Sequence, residues 1–194
     1  MRRMQQFQKG FTLIELLAAM AISAIVLMAL TTTFISQSRS YDAQDAINAM
    51  QQSARAAMDM ITREVRMAGY NTNGTFNFVA IPYDATQLRI LANLNGDADT
   101  NGANEDITYA YDSTNDQIDR TTGGTTEALV DNIDAFTFDY LDENGNPTTT
   151  SADIRQIQIS ITARTSKPDP TYTSNGGFRT YSLTSVVTPR NLAY

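Results

Sequence analysis

The chain has 194 residues, a formal net charge of −7, and neither cysteine nor histidine. Without cysteine it has no disulfide, no thiol nucleophile and no thiolate ligand for a metal. Without histidine it lacks the commonest general base and the commonest ligand for transition metals. The composition therefore argues against most hydrolytic and metal-dependent enzymes.

Charge is distributed unevenly along the chain. Arg2, Arg3 and Lys9 make the first ten residues basic, and no acidic residue accompanies them. Removing these three of the 14 basic residues leaves 11 against 21 acidic residues, so the rest of the chain is strongly acidic. Since binding to nucleic acid needs a basic surface, we expect no direct contact with nucleic acid.

An uncharged, mostly apolar run follows the basic start and extends from Leu16 to Ile35. As a helix, this run would be about 30 Å long, which is the thickness of the hydrocarbon core of a bilayer. Basic residues mark the cytoplasmic side of such a span. The pattern predicts a single membrane span with the N-terminus in the cytoplasm and the body of the chain outside.

Glu15 makes two simple interpretations of this run unsatisfactory. A plain membrane anchor gives the carboxylate no role, although an unpaired charge near the bilayer interior is costly. A secretory signal peptide would be cleaved after small residues, which the stretch LLAAMA offers. However, Glu15 interrupts the apolar region that such a peptide requires, and the apolar run continues too long.

The stretch KGFTLIELLAAMAIS, residues 9–23, resembles the class III leader of type IV pilins and type II secretion pseudopilins. The resemblance implies that a membrane-embedded prepilin peptidase cuts between Gly10 and Phe11, and that Phe11 becomes the N-methylated terminus. It also implies that Glu15 is the acid that selects the docking and register of an incoming subunit. Physical reasoning agrees, because the new α-amino cation of a neighbouring subunit would be costly to bury without a carboxylate partner.

Beyond Ile35 the pattern becomes amphipathic, with apolar residues at spacings of three and four. Gly69 follows at the position where a glycine commonly ends a helix. One helix from Phe11 to Ala68 is predicted, and its apolar stripe either covers a sheet or forms a coiled-coil seam. The stretch REVRMAGYNTNG, residues 63–74, resembles the end of this helix in PilW-like minor pilins and J-type pseudopilins. The stripe consists of Ala43, Ile47, Met50, Ala54, Met58, Ile61, Val65 and Ala68.

From Tyr70 onward the periodicity changes to two, which is typical of β-strands. Strands are predicted at FNFVAIPY (76–83), QLRILAN (87–93), DITYAY (106–111), AFTFDYL (135–141), IRQIQISITA (154–163) and YSLTSVV (181–187), with the last two as an antiparallel pair.

The predicted fold is therefore α+β and type IV pilin-like. One long N-terminal helix, membrane-spanning in its first half, packs on a mostly antiparallel β-sheet head. The predicted segments are a leader (1–10), a transmembrane and assembly half of the helix (11–35), an amphipathic half (36–69) and a β-rich globular head (70–194).

The loop NLNGDADTNGANEDITY, residues 93–109, is the part of the head whose residue types most suggest a binding site. Its alternating acidic and amide residues before Gly102 match the start of an EF-hand-like calcium loop. The twelfth position is Thr108 instead of a bidentate glutamate, and the flanks are predicted strands. A solvated acidic turn is the alternative interpretation, since Asn, Asp and Gly are also turn residues. No cofactor is required, and calcium is the one candidate, with Asp97, Asp99, Asn101, Glu105 and Asp106 as its candidate ligands.

Two other patterns have simpler explanations than a functional site. In LDENG, residues 141–145, the Asn144-Gly145 pair indicates a turn more than a pair of glycosidase carboxylates. Aromatic residues at strand spacing indicate core and cross-strand packing more than a ligand platform. These aromatic residues are Tyr109, Tyr111, Phe136, Phe138 and Tyr140.

The resemblance implies a structural subunit and not an enzyme. The expected protein is a PilW-like minor pilin that helps to start the assembly of a type IV pilus and sits near its tip. A J-type pseudopilin or a major filament subunit is the near alternative. A membrane-tethered adhesin that binds calcium is the alternative from another class.

The expected partners are other pilin or pseudopilin subunits through the N-terminal helix, the prepilin peptidase, an inner-membrane assembly platform and the membrane itself. The precursor is expected to span the inner membrane once, with a periplasmic head. The mature chain then enters a pilus or pseudopilus.

Overall fold

A computed structural model describes residues 10–74 and 77–192 of the chain. The predicted leader, apart from Gly10, lies outside the described residues. In chain order the elements are α1 (Leu13–Met67), β1 (Gln87–Leu91), β2 (Asp106–Asp112), β3 (Gln117–Thr122), β4 (Thr125–Asp131), β5 (Ile133–Leu141), β6 (Gln156–Arg164) and β7 (Thr180–Val187), with short 3-10 turns at Ser151–Asp153 and Asn175–Gly177. The predicted α+β fold, with one long N-terminal helix and an antiparallel head, is confirmed.

By its internal contacts the chain divides into two compact units between Asp45 and Ala46. In the first unit, no described side chain is buried. The hydroxyls of Thr31, Thr32 and Thr33 donate to the carbonyl oxygens four residues earlier, at 2.8, 2.9 and 3.0 Å. Because these hydroxyls are satisfied within the helix, they do not oppose contact with an apolar environment.

In the second unit, the C-terminal part of α1 buries the predicted apolar stripe. Its buried residues are Met50, Ala54, Ala57, Met58, Ile61 and Val65. They belong to one core with the inward residues of the strands, among them Ile157, Ile159 and Ile161 of β6. Of the two predicted alternatives, the stripe of the second unit therefore covers a sheet and does not form a coiled-coil seam.

The C-terminal end of α1 is fixed by contacts distant in sequence. Gly69 has φ +77, and a Cβ at this position would lie 3.0 Å from the carbonyl oxygen of Asn191. The amide of Gly69 donates to the carbonyl oxygen of Leu91 at 2.9 Å, and the amide of Arg190 donates to that of Arg66 at 3.2 Å. The predicted role of Gly69 is confirmed, because a side chain here would meet both backbone strain and a close neighbour.

The strands form two antiparallel sheets. One has four strands in the order β1-β2-β3-β4, and the other has three in the order β5-β6-β7. The predicted pairing of the last two strands is confirmed, since Ile159 of β6 lies opposite Ser185 of β7. On β6, alternate residues from Ile157 to Ala163 are buried.

One predicted strand was wrong, and two strands of the structure were not predicted. The described part of the first predicted strand, residues 77–83, has no regular structure, although Ala80 and Ile81 are buried. Here the apolar residues cover the core as a coil, and only one backbone bond joins this coil to β1, from Leu91 to the carbonyl oxygen of Ala80 at 2.8 Å. Conversely, β3 and β4 were missed. Most of their side chains are polar or exposed, so they do not show the apolar alternation of a half-buried strand.

Candidate functional site

The predicted cleavage site lies just before the first turn of α1. Gly10, Phe11 and Thr12 are outside the helix and exposed, and 88% of the Phe11 surface is accessible. The scissile bond predicted between Gly10 and Phe11 is thus in non-helical, accessible backbone. The helix was predicted to begin at Phe11, but it begins at Leu13. Thr12 forms its N-terminal cap, because its hydroxyl oxygen accepts the amide of Glu15.

Thr12 and Glu15 form a capping box at the start of α1. The amide and the hydroxyl of Thr12 both donate to Oε2 of Glu15 at 2.8 Å. In return, the amide of Glu15 donates to Oγ1 of Thr12 at 3.3 Å. Two backbone donors that the helix leaves free are thereby satisfied, and the position of the carboxylate is defined.

The first part of α1 presents a long apolar surface. By length and composition, α1 can cross a membrane. An exposed surface of this size indicates contact with lipid or with other chains. Its large exposed side chains are Leu13, Ile14, Leu16, Leu17, Met20, Ile22, Ile25, Val26, Leu27, Met28, Leu30, Phe34 and Ile35.

In the acidic loop, Glu105 has a structural role that the sequence does not reveal. Only 1% of its surface is exposed. Its Oε1 accepts hydrogen bonds from the amides of Leu94 and Asn95 at 2.7 and 2.9 Å, and its Oε2 accepts one from Gly102 at 2.7 Å. A Cβ on residue 102 would lie 2.2 Å from Oε2, so glycine is needed there for this approach. The buried carboxylate therefore holds both ends of the loop.

The other predicted ligands lie in different environments. Oxygens of Asp97, Asp99 and Glu105 come within 4.8 Å of one another, close enough to hold a metal ion between them. The side chains of Asp97 and Asp99 also accept the amides of Asp99 and Asn101 at 3.0 and 2.8 Å. Asp106, however, pairs with Arg89 across β1 and β2, with two hydrogen bonds of 2.9 and 2.6 Å.

The loop can therefore bring three carboxylates together, with Asp106 engaged elsewhere. The Asp97 and Asp99 turns and the Glu105 hydrogen bonds already account for the shape of the loop without an ion. Both interpretations of the acidic loop remain compatible with this geometry.

A polar cluster that the sequence analysis missed joins α1 to the four-stranded sheet. Glu64 of α1 pairs with Arg120 of β3 at 3.0 Å and also accepts a hydrogen bond from the hydroxyl of Tyr109 on β2. The side chains of Glu64 and Arg120 are only 17% and 16% exposed. Burial, and then the hydrogen bond to Glu64, raise the pKa of Tyr109 well above its usual range. Arg120 reaches Asn104 at 2.9 Å as well, which connects this cluster to the acidic loop.

The remaining patterns have the structural roles that were predicted. Asp142 accepts the amides of Asn144 and Asn146 at 2.8 Å in a turn where Gly145 has φ +79. Phe138 packs against Phe136 and against Tyr140, with ring centroids 5.6 Å apart in both pairs.

Comparisons with known proteins define the class first. Residues 6–31 match the prokaryotic N-terminal methylation motif, which covers the predicted cleavage site, Glu15 and most of the apolar run. The chain is thus a prepilin-type protein with a type IV pilin-like fold. Residues 44–188 match the family described as prepilin peptidase-dependent protein B, and the chain belongs to this family.

No curated protein sequence matches the chain. Among solved structures, a type IV-like pilin from Thermus thermophilus is similar at 12% sequence identity and a TM-score of 0.48, over 74% of this chain and 98% of that one.

The family membership fixes the general function. The chain is a type IV pilin-like protein that is processed by prepilin peptidase, and its family is structural and not enzymatic. The resemblance stated from KGFTLIELLAAMAIS is confirmed.

Proposed function

We propose that the protein is a minor pilin that helps to start the assembly of a type IV pilus and sits near its tip. The observation that carries this proposal is the N-terminal methylation motif on a helix whose apolar first part is exposed throughout. Prepilin peptidase cuts between Gly10 and Phe11, and the amine of Phe11 is methylated. Glu15 then pairs with the amine of a neighbouring subunit, which selects the register of docking.

The proposed segments follow from this function. Residues 1–10 are the leader, 11–35 the membrane and assembly half of the helix, 36–69 its amphipathic half and 70–194 the head. The precursor spans the inner membrane with its N-terminus in the cytoplasm, because the basic leader precedes the span. The partners are the peptidase, the inner-membrane assembly platform and other pilin subunits.

Processing is tested by the mass of the N-terminal peptide of the chain isolated from membranes. We expect a chain that begins at Phe11 and carries one additional methyl group. A chain that begins at Met1, or that is cleaved after Ala21, would contradict the proposal.

Assembly is tested with Glu15→Ala in the full chain. Membrane insertion and cleavage should remain normal, because the basic leader, Gly10 and Phe11 are unchanged. Incorporation into sheared filaments should fall, because the amine of the neighbour loses its partner. Equal incorporation of the variant and the wild type would refute a role for Glu15 in docking.

A second candidate function is that of a membrane-tethered adhesin that binds calcium. The approach of Asp97, Asp99 and Glu105 to within 4.8 Å favours it. If this site binds calcium, the thermal midpoint of the full chain in detergent should rise at millimolar calcium and return with chelator. The double variant Asp97→Asn/Asp99→Asn should not respond. Unchanged midpoints of the wild type would eliminate the candidate, and filament incorporation that depends on Glu15 would favour the pilin.

A further inference from the structure

We propose that Thr12 is a positioning residue for Glu15, holding one carboxylate oxygen so that the other remains available to the incoming cation. This inference rests on the proposed role of Glu15 in docking. It adds a second residue, which acts through Glu15 and need not touch the neighbouring subunit.

The geometry of the capping box supports different roles for the two carboxylate oxygens of Glu15. Oε2 of Glu15 accepts both the amide and the hydroxyl of Thr12 at 2.8 Å. Between the described residues, Oε1 has no hydrogen-bond partner. An exposed glutamate ordinarily samples several rotamers, and fixing one of them costs entropy. Because Thr12 fixes the side chain before docking, that cost does not reduce the affinity for the neighbour.

The capping box does not depend on the leader. Both groups that donate to Glu15 belong to Thr12, which lies on the mature side of the predicted cut. The box can therefore exist in the precursor and in the mature chain. Phe11 lies before the capping box and outside the helix.

The apolar surroundings of Glu15 on this helix increase the importance of the hydrogen bonds from Thr12. Hydrogen bonds are stronger where water is excluded, and a carboxylate without defined partners is costly there. Valine at position 12 keeps the shape of threonine but removes the hydroxyl, which both donates to Glu15 and accepts from its amide. Serine retains this hydroxyl and is an equally good cap.

The test uses the full chain in cells that contain its assembly machinery, with variants Thr12→Val, Thr12→Ser, Glu15→Ala and the double variant Thr12→Val/Glu15→Ala. The readouts are the mass of the mature N-terminus, the amount inserted in the membrane and the amount in sheared filaments relative to that inserted. We expect Thr12→Val to be inserted and cleaved normally, but its incorporation should fall about fivefold, as for the loss of a typical cap. Thr12→Ser should remain close to the wild type.

The double variant separates positioning from a general effect on the helix. If Thr12 acts through Glu15, the double variant is incorporated no less than Glu15→Ala alone. The inference would be overturned if the losses of incorporation of the two single variants multiplied in the double variant. It would also be overturned if Thr12→Val entered filaments fully while Glu15→Ala was excluded from them. Either result would leave the proposed function intact. Normal incorporation of Glu15→Ala would instead refute the proposed docking role, and this inference with it.

Discussion

Replacement of Glu105 by glutamine tests whether the acidic loop is held by the protein itself. The amide oxygen of Glu105→Gln can still accept from Leu94 and Asn95, but its NH₂ group then faces the amide of Gly102. Each of the two retained bonds weakens by roughly 0.5–1 kcal/mol on losing its charged acceptor, and the unpaired Gly102 amide costs about 1–3 kcal/mol. The smaller cost of burying a neutral side chain offsets part of this loss. We therefore expect the free energy of unfolding to fall by about 2–3 kcal/mol.

The assay is denaturant unfolding of the full chain in detergent with a calcium chelator present. Near-ultraviolet circular dichroism of the nine tyrosines reports the loss of tertiary structure, because the chain has no tryptophan. The matched control is Glu127→Gln on the exposed side of β4, which should change stability by no more than about 0.5 kcal/mol.

Two results would refute this account of the loop. Equal stability of Glu105→Gln and the control in chelator would mean that the three backbone hydrogen bonds do not stabilise the fold. A loss that appears only when calcium is present would mean that Glu105 acts as a metal ligand instead.

Three further predictions concern the second compact unit and use the same unfolding assay. Glu64→Gln should destabilise the chain by about 2 kcal/mol because it breaks a mostly buried ion pair. Asp59 pairs with Arg63 one helical turn along α1, where both side chains are exposed, so Asp59→Asn should cost at most about 0.5 kcal/mol. Similar losses of stability in the two variants would contradict the importance of burial. Gly69→Ala should cost about 1–3 kcal/mol, since φ is positive and the added Cβ has a close backbone neighbour; an unchanged midpoint would show that this helix end adapts. Hydrogen bonds from Thr171, and then from Arg179, lower the pKa of Asp169 from 3.8 to about 2. Asp169 therefore stabilises the folded chain fully above pH 3.8, and this contribution is lost as the pH falls through about 2. The difference in free energy of unfolding between the wild type and Asp169→Asn should narrow over that pH range. A constant difference would refute the lowered pKa of Asp169.

Local signals in the sequence predicted the long N-terminal helix and one turn of the head well. A helix needs only the spacing of its side chains and suitable ends, so the apolar stripe and Gly69 could be read directly from the sequence. The turn at Asn144-Gly145 was also predictable, because a positive φ favours glycine. The same holds for the family, since its motif lies within a short continuous stretch around Gly10 and Glu15.

The head was less predictable because its structure depends on contacts between distant residues. Strands β3 and β4 pair through their backbones while most of their side chains are polar or exposed, so these strands form without an apolar pattern in the sequence. Residues 77–83 show the opposite case, in which apolar side chains are partly buried without forming a strand. Burial and regular structure are separate properties, and only the first is strongly marked in a sequence.

The two acidic sites show the same limit. The sequence by itself placed Glu15 within the N-terminal methylation motif, because the residues of that motif are close together along the chain. It also placed Glu105 in a loop rich in carboxylates, and suggested a metal ligand. Only the tertiary structure decided that Glu105 is buried on three backbone amides, that Asp106 belongs to Arg89 and that Glu64 joins the helix to the sheet. The partner of a charge is set by distance in space. Asp106 meets Arg89 only when β1 pairs with β2, and Glu64 meets Arg120 only when the sheet packs on the helix.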